Sequence, residues 1–354
     1  MPEVLTGVPL APWTTLRLGG PARTMVEAST EAELVETVRA ADAAGEPVLV
    51  LAGGSNVVIA DAGWGGLVVR VGTTGLRREP AGEGRERLTV AAGEPWDAVV
   101  AGAVADGLAG IECLSGIPGS TGATPIQNVG AYGQEVASTI ASVRVLDRRT
   151  GEVAELAPEA CGFAYRSSAF KHASRHVVLA VTFELERSDR SGPLRYGELA
   201  RALGAEPGSG APLSEVREAV LALRRGKGMV LDAGDHDTWS AGSFFTNPVL
   251  DAAAFAALEA QAGAAPPRFP EADGRVKTSA AWLIERAGFS KGDARGPVAL
   301  SSKHALALTN RGGATAEQLV GFAREIAEQV ERRLGVALVP EPVLVGLPWR
   351  PDPK

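Results

Sequence analysis

A glycine-rich segment over residues 115–135 offers the clearest chemistry in the chain. It carries five glycines, together with small polar residues such as Ser120 and Thr124. Pro118 and Pro125 exclude a regular helix or a central strand through its first half. Glycines leave backbone N–H groups unobstructed, so such a segment can wrap around a flat polar ligand or a phosphate. The alternative is a long structural loop, although ordered loops of this length in compact domains are usually functional.

A second glycine-rich turn, Gly53-Gly54-Ser55-Asn56, follows an apolar run at 48–51. We predict that the run is a buried strand and that another strand begins at Val57. Glycines after a strand let backbone amides approach an anion, so this turn is a second candidate phosphate site. A simple turn between strands is the alternative. The chain has neither the Rossmann nor the P-loop glycine signature.

Helices and strands on both sides must position these segments. Thr30 with Glu33, and Thr315 with Gln318, form capping-box patterns that each begin an amphipathic helix. The charged residues 77–87 are predicted to form a loop. We predict further helices at 95–109, 214–225 (with Ser214 as N-cap), 251–261 and 278–288, and strands at 24–27, 67–71, 88–92, 140–147, 177–185, 298–300 and 305–308.

Composition excludes several classes of protein. The 354 residues are 45% apolar and 22% charged, as in ordinary globular proteins, and the length suggests two or three domains. The net charge is −7 with no basic stripe, so we expect no nucleic-acid partner. No apolar run is long enough for a membrane span, and residues 1–4 do not resemble a signal peptide, so we expect a cytoplasmic protein without a membrane partner. Cys113 and Cys161 form no metal motif, and we expect no metal.

Six motifs in a fixed order closely resemble the UDP-N-acetylenolpyruvoylglucosamine reductase (MurB) family, over nearly the whole chain. Each motif alone is weak, whereas six in register are specific. The motifs are GGSN at 53–56, GIPG at 116–119, PIQNVGAYG at 125–133, YR at 165–166, GSFFTNP at 242–248 and PE at 340–341.

The resemblance implies an α+β fold, with a two-lobed FAD-binding module of the vanillyl-alcohol-oxidase (PCMH) type and a C-terminal substrate-binding domain. The lobes are expected at 1–70 and 71–225, the substrate domain at 226–338, and a strand returning to the FAD module at 339–354. The implied reaction has two steps: NADPH reduces FAD, and the flavin then gives hydride to the enolpyruvyl group of a UDP-sugar. The implied product is UDP-N-acetylmuramate, a precursor of peptidoglycan. We expect a monomer.

The resemblance assigns catalysis to Arg166, Ser243 and Glu341. Ser243 would protonate the substrate carbon opposite the hydride, while Arg166 and Glu341 would stabilise the enediolate that forms. From the residues alone, Ser243 could equally be a turn or cap serine, Arg166 a surface ion-pair residue, and Glu341 the end of an apolar strand. We expect burial of Glu341, because it lies between two prolines in an apolar segment.

The remaining assignments also come from the resemblance. Tyr196 matches the variant of the family in which a tyrosine loop closes over the substrate. Lys227 could instead be a solvated hinge lysine, and His304 could be structural. The implied FAD-binding residues are Gly53, Gly54, Ser55, Asn56, Gly116, Gly119, Ser120, Gly122, Gln127, Asn128 and Gly130; the implied substrate-binding residues are Tyr132, Tyr196, Lys227, Asn247 and His304.

Two other functions compete with the reductase. The first is a flavin oxidase or dehydrogenase of the same superfamily that acts on another substrate. The motifs at 242–248 and 340–341 argue against it, since they belong to the substrate side of the resemblance. The second is a non-catalytic UDP-sugar-binding protein, which would be colourless when purified.

Overall fold

A computed structural model describes residues 3–206 and 208–350. The outer ends of the first and last predicted domains, residues 1–2 and 351–354, lie outside the described residues, as does position 207. The chain divides into two compact units. Unit one contains the segment ending at Val8, Ala22–Gly54 and Gly65–Val230, and unit two contains Pro9–Pro21, Ser55–Trp64 and the segment beginning at Leu231. The predicted domain boundaries remain a prediction.

Helices are distributed along the whole chain. The α-helices are α1 (Glu31–Ala43), α2 (Trp96–Ala105), α3 (Gly197–Ala202), α4 (Leu213–Gly226), α5 (Ala252–Ala262), α6 (Ala280–Arg286) and α7 (Ala316–Leu334). Short 3₁₀ turns lie at Ala11–Trp13, Glu112–Leu114, Thr121–Ala123, Val136–Ser138, Pro158–Cys161 and His236–Thr238. The capping boxes at Thr30 and Thr315 are both present, which confirms those two helix starts.

The strands are mostly short. In chain order they are β1 (Val4–Pro9), β2 (Pro21–Ala28), β3 (Val48–Leu51), β4 (Val57–Ile59), β5 (Trp64–Val71), β6 (Leu76–Pro80), β7 (Arg85–Ala91), β8 (Leu108–Ala109), β9 (Gly130–Ala131), β10 (Gln134–Glu135), β11 (Ile140–Asp147), β12 (Glu152–Leu156), β13 (His176–Arg187), β14 (Val249–Leu250), β15 (Phe269–Pro270), β16 (Val276–Lys277), β17 (Ala294–Arg295), β18 (Val298–Leu300), β19 (Leu308–Asn310) and β20 (Val343–Val345).

The two larger sheets of unit one share one large hydrophobic core. The first sheet has the strand order β1-β2-β5-β3, and β3 and β5 run parallel. The second is antiparallel with the order β12-β11-β13-β7-β6, and β8 also pairs with β13. Helix α1 buries its predicted face against this core, and Trp96 of α2 packs on Phe183 of β13 at 5.4 Å between ring centroids.

Unit two packs α6 and α7 against the small sheet β17-β18-β19 and against Phe244 and Phe245. Strand β20 pairs in parallel with β4, with Val343 opposite Val57. The carboxylate of Asp61 accepts hydrogen bonds from the first two backbone N–H groups of α7, at 2.8 and 3.0 Å. The segment Ser55–Trp64 is therefore an integral part of this unit.

The prediction of a loop over residues 77–87 is wrong, because this stretch forms the hairpin β6–β7. Strand β6 lies at the edge of its sheet and is exposed along its whole length, so it tolerates charged side chains. Arg78 and Glu86 form an ion pair across the hairpin. The prediction failed because a charged edge strand has the same polar composition as a loop.

Three other predicted elements are displaced. The helix expected at 95–109 ends at Ala105, because Gly107 turns the chain with φ of 67° into β8. Ser214 lies inside α4, and Pro212 occupies its N-cap. The strand expected at 305–308 forms at Leu308–Asn310 instead, since residues 301–307 fold into a hydrogen-bonded loop. The predicted α+β class is confirmed.

Candidate functional site

Within unit one, the backbone of Gly53 lies in direct contact with the backbone of Gly119 and Ser120. A Cβ atom added to Gly53 would lie 2.6 Å from the Cα of Gly119 and 3.2 Å from the backbone nitrogen of Ser120. Gly122 is equally confined, because a Cβ there would lie 2.5 Å from the Cβ of Ala92. Glycine is therefore required at both positions by close approach of the backbone.

Backbone N–H groups at this contact are not used by the protein. Across residues 3–206 and 208–350, no protein group accepts a hydrogen bond from the N–H of Gly53, Gly54, Gly119 or Ser120. Gly54 and Gly119 both have positive φ angles, of 57° and 115°, a conformation that turns successive amides toward one side. Converging amides of this kind bind anions such as a diphosphate.

Asp97 fixes the start of the longer segment. Its carboxylate accepts a hydrogen bond from the backbone N–H of Gly116 at 2.6 Å and two from Arg217 at 2.7 and 3.0 Å. Partial burial alone would raise the pKa of Asp97, but the bonds from Arg217 and Gly116 hold it below its ordinary value. An ionised Asp97 therefore anchors the segment between α2 and α4.

Asn128 and Gly130 connect the glycine-rich segment to Arg166. The amide of Asn128 donates to Glu135 Oε2 at 2.8 Å and to the carbonyl of Ala164 at 3.2 Å, and its Oδ1 accepts from Ala137. The Asn128 side chain thus binds protein groups, and its backbone N–H donates to the carbonyl of Pro125 at 3.3 Å. Gln127 is half-buried in the same turn.

Arg166 is held at a tight turn. Ala164 and Ser167 exchange two backbone hydrogen bonds across it, and Arg166 adopts a φ of 52°. Its Nη2 donates to the carbonyl of Gly130 at 2.7 Å. A left-handed conformation costs a non-glycine residue about 1 kcal/mol or more. Such strain is typical of residues whose side chain must occupy one fixed position.

Tyr132, Tyr196 and Lys227 form one cluster in unit one. The rings of Tyr132 and Tyr196 meet edge to face at 5.4 Å, and the Lys227 ammonium lies 5.6 Å from the Tyr132 ring centroid. Lys227 also donates to Glu198 at 2.6 Å. Burial alone would lower the pKa of Lys227, but the Glu198 carboxylate raises it, so the ammonium stays charged. Tyr196 is 44% exposed, which suits a residue that contacts a ligand.

Arg224 is a member of this cluster that the sequence analysis missed. Its Nη2 donates to the carbonyl of Met229 at 2.8 Å, while its buried Nε has no hydrogen-bond partner within the described part of the chain. Burial lowers the pKa of Arg224 to about 10, and the nearby charge of Arg166 acts in the same direction. The sequence did contain a signal for Arg224: it lies three residues before Lys227 at the end of α4, and residues three apart on a helix are neighbours on one face.

Ser243 lies on a rigid backbone segment of unit two. It follows Gly242, which has a φ of 74°, and precedes the buried Phe244 and Phe245. The N–H of Phe244 donates to the carbonyl of Leu306 at 2.7 Å. The Ser243 side chain is half-buried, and its hydroxyl makes no hydrogen bond to any residue in 3–206 or 208–350.

Glu341 is paired through its backbone with Phe244, the residue that follows Ser243. The backbone N–H of Glu341 donates to the carbonyl of Phe244 at 2.8 Å, and its own carbonyl accepts from the Asn56 amide at 3.4 Å. The expectation that Glu341 ends a buried strand is wrong. It is half-buried and precedes β20 in a bend, because Pro340 and Pro342 limit regular pairing on either side.

His304 and Asn247 occupy the same unit. The Nδ1 atom of His304 accepts a hydrogen bond from the N–H of Leu306 at 3.1 Å. In a neutral His304 ring the proton therefore lies on Nε2. The Oδ1 atom of Asn247 accepts from the N–H of Ala280 at 2.9 Å, at the start of α6.

The structure thus brings the predicted residues together in two groups. Unit one contains Arg166 with Tyr132, Tyr196 and Lys227, and unit two contains Ser243 with Glu341 and His304. No helix of the described residues combines the length and the apolar character that crossing a membrane requires. Within residues 3–206 and 208–350, no three His, Cys, Asp or Glu side chains cluster in a way that could hold a metal ion.

Comparisons with known proteins identify both halves of the chain. Residues 22–157 match a family model described as an FAD binding domain. Residues 234–345 match the C-terminal domain of UDP-N-acetylenolpyruvoylglucosamine reductase. The predicted FAD-binding module and C-terminal domain are therefore confirmed.

Curated relatives match over nearly their whole length. UDP-N-acetylenolpyruvoylglucosamine reductase of Saccharopolyspora erythraea is 58% identical, covering 96% of this chain and 95% of the relative. That of Streptomyces coelicolor is 56% identical, covering 98% and 91%. The crystal structure of the Thermus caldophilus enzyme is 25% identical with a TM-score of 0.65, covering 98% of this chain and 99% of that one. The chain therefore belongs to the UDP-N-acetylenolpyruvoylglucosamine reductase (MurB) family.

Proposed function

We propose that the protein uses NADPH and FAD to reduce the enolpyruvyl group of UDP-N-acetylglucosamine enolpyruvate, giving UDP-N-acetylmuramate for peptidoglycan synthesis. One hydride and one proton add across the carbon–carbon double bond, and NADPH is oxidised to NADP⁺. Family membership over nearly the whole chain supports the substrate class. The observation that carries the proposal is the backbone hydrogen bond from the N–H of Glu341 to the carbonyl of Phe244, which pairs Glu341 with the residue that follows Ser243. The cytoplasmic location and the monomeric state stay predictions.

The glycine-rich segments fit the proposed cofactor. The unpaired amides at Gly53, Gly54, Gly119 and Ser120 suit the diphosphate of FAD, which needs donors without a bulky side chain nearby. When bound, FAD supplies the hydride carrier between NADPH and the substrate. The other residues proposed to hold it are Ser55, Asn56, Gly116, Gly122, Gln127, Asn128 and Gly130.

The cationic cluster of unit one suits an anionic substrate. The Nε atom of Arg224 is buried and has no hydrogen-bond partner among the described residues, so an anionic ligand would lower the cost of burying this guanidinium. We assign Arg166 to the substrate carboxylate, where negative charge grows during hydride addition. Lys227 and the newly identified Arg224 would meet the diphosphate, Tyr132 and Tyr196 would cover the substrate as in the tyrosine-loop variant, and Asn247 and His304 would complete its binding.

Ser243 is the proposed proton donor. Its hydroxyl makes no hydrogen bond to the described residues, so it is available to a ligand, and the flanking Phe244 and Phe245 limit its movement. Serine is a weak acid, so its proton must be replaced as it leaves. We assign Glu341 to hydrogen bonding with the same enediolate.

The two half-reactions of Ser243→Ala test this proposal. We expect NADPH to reduce the bound flavin at nearly the wild-type rate, because Ser243 acts only after that step. Reoxidation by the enolpyruvyl substrate should slow by about 10²- to 10⁴-fold, the usual contribution of a positioned acid. Both rates are read as flavin absorbance in a stopped-flow instrument. Ser290→Ala, an exposed serine of the same unit, is the matched control.

Each result has a distinct meaning. Equal losses in both half-reactions would remove Ser243 from the protonation step. A wild-type protein that is yellow and reducible, but is not reoxidised by the substrate, would favour a flavin enzyme with another substrate. A colourless protein that does not take up FAD would favour the non-catalytic UDP-sugar-binding function.

A further inference from the structure

A buried carboxylate in unit two binds the loop that supports the Ser243 segment. Asp237 is 3% exposed, and four donors converge on it from segment 301–311, which comprises the loop at 301–307, strand β19 and Arg311. Its oxygens accept from Ser301 Oγ at 3.1 Å, from the N–H and hydroxyl of Ser302 at 3.0 and 2.8 Å, and from Arg311 Nη1 at 2.8 Å. Deep burial and four donors indicate that Asp237 fixes the position of segment 301–311.

The Ser301 hydroxyl connects Asp237 to His304 by hydrogen bonds. Its hydroxyl donates to Asp237 and at the same time accepts from the backbone N–H groups of Lys303 and His304, at 3.0 and 3.2 Å. The N–H of Ser301 also donates to the carbonyl of Ala307 at 2.8 Å, which closes the loop. Since Ser301 is fully buried, water does not compete for these bonds.

The far side of the same loop holds the peptide that follows Ser243. The ring of His304 accepts from the N–H of Leu306, and the carbonyl of Leu306 accepts from the N–H of Phe244. A continuous series of hydrogen bonds therefore leads from Asp237 through Ser301, His304 and Leu306 to the Phe244 peptide. The carbonyl of Phe244, which belongs to the next peptide group, accepts a hydrogen bond from the N–H of Glu341 at 2.8 Å.

The chain before Ser243 is bound to the same loop. Asp235 pairs with Lys303 at 2.6 Å, and the ring of His236 is hydrogen bonded to the carbonyl of Arg311 at 2.8 Å. The carbonyl of Trp239 accepts from the N–H of Asn310 at 3.0 Å. The segment before Ser243 (residues 235–239) and the residue after it (Phe244) thus both depend on residues 301–311 for their position.

We propose that Asp237 and Ser301 are positioning residues for the proton transfer, acting through the loop at 301–307 on Ser243. The proposal rests on the proposed function, because it assumes that Ser243 acts in the second half-reaction. Misplacement of a reacting group by about 1 Å can cost about 10²-fold in rate. Loss of the Ser301 hydroxyl should therefore slow protonation while leaving flavin reduction unchanged.

Ser301→Ala and Ser302→Ala form a matched pair for the test. Each removes one hydroxyl that donates to Asp237 Oδ2, but only Ser301 also holds the N–H of His304. On flavin-loaded enzyme, we expect Ser301→Ala to slow reoxidation by the enolpyruvyl substrate by about tenfold or more. Ser302→Ala should change that rate by less than about twofold, as for most exposed positions. Reduction by NADPH should be unchanged in both.

The outcomes separate this inference from the proposed function. If wild-type enzyme is not reoxidised by the substrate, the proposed function fails. If wild type is reoxidised but Ser301→Ala and Ser302→Ala behave alike, or if Ser301→Ala slows both half-reactions equally, the positioning role is wrong. Should Ser301→Ala fail to fold, Asp237→Asn replaces it in the same comparison, with the same expected and refuting results.

Discussion

Replacement of Gly53 by alanine tests the backbone contact between the two glycine-rich segments. The new Cβ would lie 2.6 Å from the Cα of Gly119, whereas ordinary contact begins at 3.4 Å. The two backbones must therefore separate by about 0.8 Å, the difference between these two distances. Neither side can relieve the clash by rotating a side chain, because both partners are backbone.

The expected cost follows from that separation. Overpacking by one methyl group at a rigid contact costs about 1 to 3 kcal/mol. If the separation also spreads the unpaired amides of Gly119 and Ser120, the dissociation constant for FAD should rise by about 5- to 100-fold. We therefore expect Gly53→Ala to lower both the melting temperature and the flavin content of the purified protein.

Gly102→Ala is the control for this substitution. Gly102 lies within α2, and a Cβ there would have no atom within 4 Å. Alanine is favoured over glycine inside a helix by about 0.5 to 1 kcal/mol, so this variant should be slightly stabilised and should bind FAD normally. Fluorescence titration of the apoprotein with FAD measures the affinity. Wild-type affinity and stability in Gly53→Ala would refute the close-approach argument.

Two further predictions concern the cluster around Tyr196 and the anchor at Asp97. Tyr196→Phe keeps the ring contact with Tyr132 but loses the hydroxyl, so the KM for the UDP-sugar should rise by about 2- to 10-fold with little change in flavin reduction; an unchanged KM in steady-state assays would remove Tyr196 from substrate binding. The pKa of Asp97 is lower in the folded protein than its ordinary value, so its ionised form stabilises the fold above the unfolded pKa of about 3.9, and this contribution is lost as the pH falls through the folded pKa. The melting temperature of wild type should therefore exceed that of Asp97→Asn near neutral pH, with the difference shrinking below about pH 4; a difference that does not depend on pH would mean that the charge of Asp97 is not what holds Gly116.

The sequence predicted correctly those elements that are specified by residues close to one another in the chain. Helix α1 buries Leu34, Val35, Val38 and Ala41, the four residues that apolar spacing with a period of 3.6 places on one face. The hairpin β6–β7 was missed because its charges pair across strands, and that pairing depends on residues that are not neighbours in sequence. Edge strands and loops share the same polar composition.

Within the candidate site, motifs located the residues but gave no account of what supports them. Asp232, Asp235 and Asp237 occur in one short acidic segment, and no pattern marks the third as the buried one. Its burial comes from segment 301–311, which lies over sixty positions later in the chain. Arg224 was missed for a similar reason, since an arginine at the end of an amphipathic helix ordinarily faces solvent.

Unit two is assembled from segments that leave the ribosome far apart in time. Strand β4 pairs with β20, and Asp61 caps α7. Residues 55–64 therefore cannot complete their contacts until residues 65–230, and the rest of unit two after them, have been synthesised. At about 5 to 20 residues per second this delay is on the order of ten seconds or more. A nascent chain halted before β20 keeps β4 as an open edge, which is a target for chaperones and for aggregation. Cutting the gene after codon 230 would for the same reason not yield two fragments that fold independently.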